Sequence, residues 1–198
     1  MFLDKFLKRP LLFFVFMFAA LPLWANAGLP MLFMVYPGFL TALIPVVLIE
    51  FFCLKGSFKD CSLKKLFFSV LGGNLISTLL GVPLTWLAAV AVQMALGGGR
   101  AYGLNGLGHK LYAAVVQASW LIPYEEAFFW LVPSAFTVLM LYFFLSSWLI
   151  EYGFMYLLFH KSYDKALICK NVFKANVVSY IFLYVFVLIY WLAAGFLN

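Results

Sequence analysis

Residues 66–99 read LFFSVLGGNLISTLLGVPLTWLAAVAVQMALGGG, a stretch without one charged side chain. A helix needs about 20 apolar residues to cross the hydrocarbon core of a bilayer, so this run is long enough to span and to extend beyond it. Upstream, Gly28 to Leu54 carries a single charge, Glu50, and reads as another span. Between the two lies Lys55 to Lys65, a short loop with four lysines (55, 59, 64 and 65) and Asp60.

Composition agrees with the membrane reading. The chain has 198 residues, 67% hydrophobic and 10% charged, where a soluble domain is about half apolar and about a quarter charged. That much apolar surface must face lipid as well as itself. The formal charge of +6 is concentrated in short loops rather than in a nucleic-acid-binding surface. Lipid is therefore the expected partner, and nucleic acid is not.

Downstream, Gly97 to Gly108 is glycine-rich and reads as a loop. Leu111 to Tyr124 is apolar but short, broken at Pro123 and bounded by Glu125 and Glu126, which suggests an interfacial or re-entrant helix. A further span runs from Ala127 through Pro133 and Glu151 to Phe159. His160 to Lys174 is a second basic loop, and Ala175 to Asn198 a last span. Both basic loops carry four lysines and one aspartate, hence +3 each. Positive charge marks the cytoplasmic side, so both loops are expected there, with both ends of the mature chain periplasmic in a bacterial inner membrane.

Residues 1–27 resemble a secretory signal: Lys5, Lys8 and Arg9, an apolar stretch from Leu11 to Ala20, then Ala25-Asn26-Ala27 as a small-x-small cleavage site. An uncleaved first transmembrane helix is the alternative. The expected organisation is a signal or extra helix (1–27), a first hairpin (28–96), a periplasmic connection with an interfacial helix (97–126) and a second hairpin (127–198). The expected fold is all-α, a membrane-embedded four-helix bundle.

The halves echo each other. Leu48-Ile49-Glu50 recurs as Leu149-Ile150-Glu151 at an offset of 101, and Gly73-Asn74-x-x-Ser77 as Ala175-Asn176-x-x-Ser179 at 102. The order span, Glu, basic loop, small residue, Asn-x-x-Ser, span is kept in both, which points to duplication. Two spans per unit make the copies parallel, related by an axis along the membrane normal.

An acidic side chain at mid-membrane costs roughly 2.5 to 3.5 kcal/mol on insertion scales, so Glu50 and Glu151 should face inward. On antiparallel neighbours, each Glu can accept from the Asn of its own hairpin. The candidate polar cluster is Glu50, Asn74, Ser77, Glu151, Asn176 and Ser179. Gly73, Ser77 and Gly81 fall at intervals of four on one face, as a close helix approach requires. Ala175 and Ser179 keep the first two positions, but Leu183 replaces the third, so looser packing is expected there.

Two functions fit. In one, Glu–Asn clasps hold a structural, assembly or partner-binding membrane protein together. In the other, the paired glutamates serve a small proton- or cation-coupled transporter, as an oligomer because four spans enclose little pathway.

Catalysis is not expected. Glu125-Glu126 and His160-x-x-x-Asp164 superficially echo intramembrane CAAX-type proteases, but Trp130 stands where that motif needs arginine. The three cysteines, Cys53, Cys61 and Cys169, form no Cys-x-x-Cys pair and suggest reduced thiols. No cofactor motif or standard metal-ligand spacing is present, so none is expected. The signal-like start, Ala27-Gly28-Leu29-Pro30-Met31, Ile49-Glu50 and Asn-x-x-Ser together resemble a loose set of uncharacterised bacterial polytopic membrane proteins, a resemblance that implies no activity.

Overall fold

The computed structural model describes residues 31–97, 103–117 and 128–197. The signal-like segment 1–27, Arg100, Pro123, Glu125 and Glu126 lie outside the described residues.

All regular structure among the described residues is helical: α1 (Met31–Lys55), α2 (Leu63–Gly97), α3 (Leu107–Tyr112), a π-helical turn (Ala113–Gln117), α4 (Phe128–Phe159) and α5 (Lys165–Leu197). Three segments are long and apolar enough to cross a membrane: Leu63–Gly97, Trp130–Phe159 and Lys165–Phe186.

The two lysine-bearing turns are built alike. After α1, the amides of Ser57 and Phe58 both donate to the Leu54 carbonyl; after α4, those of Ser162 and Tyr163 both donate to the Phe159 carbonyl. Each following helix then opens on a side-chain cap. Ser62 Oγ accepts from the Lys65 amide at 3.3 Å, and Asp164 Oδ2 from the Ala166 amide at 2.8 Å, each satisfying one of the helix's orphan donors. The turns also touch, since Ser57 Oγ donates to Asn171 Oδ1 at 2.7 Å and Phe58 packs between Phe159 and Tyr163.

The second turn corrects the sequence-based boundary. Ala175 is not the start of the last helix, because α5 begins at Lys165 and carries Lys170 and Lys174 within it. Both lysines are exposed, while Ile168, Val172 and Ala175 are buried. The charges mark a wet face of the helix, not its end. Consequently Asn74 and Asn176 lie equally far along their helices, each 12 residues beyond its cap (74 − 62 and 176 − 164), or about 18 Å at 1.5 Å per residue.

Helix contacts form a closed circuit: α1 packs on α2 and α5, and α4 on α2 and α5. Two apolar clusters fill its interior. One, at the lysine end, gathers Leu54, Phe58, Leu66, Met155, Phe159, Ile168 and Val172. The other, toward the opposite end, gathers Val46, Leu131, Ala135, Leu139, Phe143 and Leu183. Leu183 is thus buried core, and the level where it replaces a glycine is filled rather than loose. Ala113 and Ala114 of the π-helical turn join this second cluster, so the connecting segment is packed into the interior as well as running between helices. It also becomes helical earlier, at Leu107, than its glycine content suggests.

Candidate functional site: a Glu–Asn–Ser cluster between the apolar clusters

The polar residues predicted from the sequence come together. Glu50, Asn74, Ser77, Glu151, Asn176 and Ser179 are all buried, none more than 4% exposed. Asn74 Nδ2 donates to Glu50 Oε2 at 2.6 Å, and Asn176 Nδ2 to Glu151 Oε2 at 2.7 Å. These are the expected bonds between α1 and α2, and between α4 and α5.

The serines do what spacing alone does not disclose. Ser179 Oγ of α5 donates to Glu50 Oε1 of α1 at 2.7 Å, and Ser77 Oγ of α2 to Glu151 Oε1 of α4 at 2.8 Å. Each carboxylate therefore accepts from one asparagine and one serine that come from different halves of the chain. The geometry explains the Asn-x-x-Ser spacing. Three residues along a helix rotate the side chain by about 300°, equivalent to a 60° step back. An asparagine aimed at one neighbouring helix thus places the serine toward the next.

Each bond pattern leaves little freedom of orientation. Both amides also donate to the carbonyl one turn earlier, Asn74 to Val70 at 3.1 Å and Asn176 to Val172 at 3.2 Å. With both Nδ2 hydrogens engaged, a flipped amide would set oxygen against oxygen. Each serine oxygen also lies 3.0 Å from the carbonyl of its asparagine. A hydroxyl has one hydrogen, and the shorter contact goes to the carboxylate, the stronger acceptor.

The small residues position this cluster. A Cβ on Gly73 would stand 3.5 Å from the Phe154 ring and 3.6 Å from Glu151 Cγ, ordinary contact. One on Gly72 would meet the same ring at 3.2 Å. Gly81 faces Ser146 Oγ at 3.6 Å. The small face of α2 therefore receives α4, the helix that carries Glu151. Ala175, the counterpart of Gly73, is buried with the lysine-end cluster.

A second polar tier was not foreseen. Thr85 Oγ1 and Ser146 Oγ lie 3.3 Å apart, and Ser147 Oγ and Tyr180 Oη 2.9 Å apart. The signal available was the Ser146-Ser147 pair, about one turn before Glu151, in an otherwise apolar run.

The remaining polar motifs do not converge. His160 is exposed with Nδ1 3.2 Å from the Tyr156 carbonyl, and Asp164 caps α5. The three cysteines are free, and no three or more His, Cys, Asp and Glu side chains among the described residues gather as a metal site would require.

No family model, curated protein or solved structure matches this chain. Its chemistry must be read from the cluster itself. Paired carboxylates held by neutral donors can fix helix register and can accept positive charge.

Proposed function

We propose that this chain is an integral inner-membrane protein of structural, assembly or partner-binding type. In this reading α1–α2 and α4–α5 are parallel hairpin repeats of a four-span bundle, with both lysine-bearing turns cytoplasmic. The observation that carries it is the exchange of donors: Ser179 reaches Glu50 and Ser77 reaches Glu151. A clasp confined to one hairpin needs only its asparagine. Bonds that cross between halves join the hairpins to each other.

The exterior supports the membrane reading. Ile44, Phe52, Phe68, Leu141 and Leu157 are all more than 60% exposed, whereas the carboxyls of Glu50 and Glu151 and the amides of Asn74 and Asn176 are buried, the reverse of a water-soluble arrangement. The cavity beside the glutamates has a volume of about 10 Å³, close to the minimum for one water. Room on that scale favours a lock over a transport conduit.

The test is Glu50→Gln with Glu151→Gln, measured for membrane abundance and for thermal unfolding in detergent. A locking role predicts lower abundance and a lower Tm. A folded variant of wild-type Tm that has lost a proton- or cation-dependent phenotype would favour the transporter reading instead.

A further inference from the structure

The small cavity beside the glutamates is lined by Glu50, Asn74, Glu151 and Asn176, with Ser69 and Gly73 at its wall. Leu54, Met155 and Val172 of the lysine-end cluster line it as well. Among the described residues no lysine or arginine forms an ion pair with either glutamate; the closest lysine in sequence to the cluster, Lys174, is exposed. Each carboxyl accepts from one asparagine and one serine and the two also hydrogen-bond each other, which still leaves lone pairs free on both.

A second observation, independent of the acidic pair, points to a missing ligand. Asn176 is fully buried, its Nδ2 hydrogens are engaged by Glu151 and Val172, and its Oδ1 has no partner. A buried carbonyl oxygen in a cavity lining, without a donor, calls for an occupant that presents positive charge or a hydrogen.

We propose that this cavity binds one monovalent metal cation of about sodium's size, held by oxygens of Glu50, Glu151 and Asn176. The inference deepens the locking role and rests on it: the two carboxyls hydrogen-bond each other and so share one proton, and the cation balances the one negative charge that remains where the hairpins meet. Charge and donor count select the class. Calcium takes six to eight oxygens and magnesium keeps several waters, more ligands than this lining and room for about one water supply, and a divalent ion would exceed the single negative charge that remains. All three proposed donors are oxygens, which suits a hard cation rather than a soft one.

The test uses the full chain purified in detergent with choline chloride as the only salt. Radiolabelled sodium should bind saturably at about one ion per chain, and Tm should rise by several degrees when sodium chloride replaces choline chloride at equal ionic strength. Glu50→Gln with Glu151→Gln should abolish both responses. Should that variant fail to fold, Asn176→Leu, which leaves both acids in place, should weaken sodium binding at least tenfold. Absence of saturable binding to the wild-type chain overturns the proposal, and so does equal binding by a folded glutamine variant. A Tm that responds to pH but not to sodium overturns it too, assigning the site to a proton. If the glutamine variant is destabilised while the wild-type chain binds no sodium, the cation fails and the lock stands.

Discussion

Ser179 and Glu50 stand 129 positions apart in the chain and 2.7 Å apart in space. Their bond ties the last helix to the first and has its counterpart in Ser77 and Glu151, 74 positions apart. Through the two bonds the helices that carry the acids become shared property of both hairpins.

The asparagines should matter more than the serines. Asn176→Leu removes two buried hydrogen bonds, to Glu151 and to the Val172 carbonyl, and forces a branched apolar side chain against the carboxyl, whereas Ser179→Ala removes only the bond to Glu50; in both variants the carboxyl keeps its other donor. Leaving a buried polar group short of a partner costs about 1–3 kcal/mol, more for a charged one. Thermal unfolding in detergent should therefore rank Asn176→Leu below Ser179→Ala in stability. The same order is expected for Asn74→Leu and Ser77→Ala.

Adjacent glycines should respond oppositely. At Gly73 an added methyl meets Phe154 and Glu151 at ordinary contact distance, and alanine improves helix propensity by up to about 1 kcal/mol. Gly73→Ala should be neutral or mildly stabilising. At Gly72 the same propensity gain is set against a methyl that presses on the Phe154 ring at 3.2 Å, where overpacking costs about 1–3 kcal/mol. Gly72→Ala should lower Tm, and Phe154→Leu should relieve part of that loss.

The orientation of the chain is open to labelling. Cys61 is partly exposed in the first lysine-bearing turn. In a chain retaining it as the sole cysteine, a membrane-impermeant maleimide should react only after the inner membrane of intact spheroplasts is permeabilised. Reaction in unpermeabilised spheroplasts would invert the topology.

Much of this arrangement was legible in the residues, and the exceptions have physical causes. Long apolar runs located α2 and α4, the first charge-free from Leu66 onward and the second carrying Glu151 alone, since a helix in lipid admits little charge along its length. The start of α5 was hidden because Lys170 and Lys174 look like loop residues, although an exposed helical face carries lysine freely once its opposite face, Ile168 and Val172, is buried. The Glu–Asn pairs were legible because hairpin neighbours are given by connectivity. The serine bonds were not, because they depend on which helices meet across the two hairpins, which no local spacing specifies. Thr85, Ser146, Ser147 and Tyr180 escaped for the same reason: each finds its partner on a helix that only tertiary packing brings near.

A double-mutant cycle on Glu50→Leu, which leaves no acceptor for the serine, and Ser179→Ala, read by unfolding in detergent or bicelles, addresses the joining of the hairpins most directly. The account predicts a coupling free energy of about 0.6 to 1.7 kcal/mol, the range of interhelical hydrogen bonds in membranes, with a similar value for Glu151→Leu and Ser77→Ala. Additive effects, within about 0.3–0.5 kcal/mol, in both cycles would contradict it.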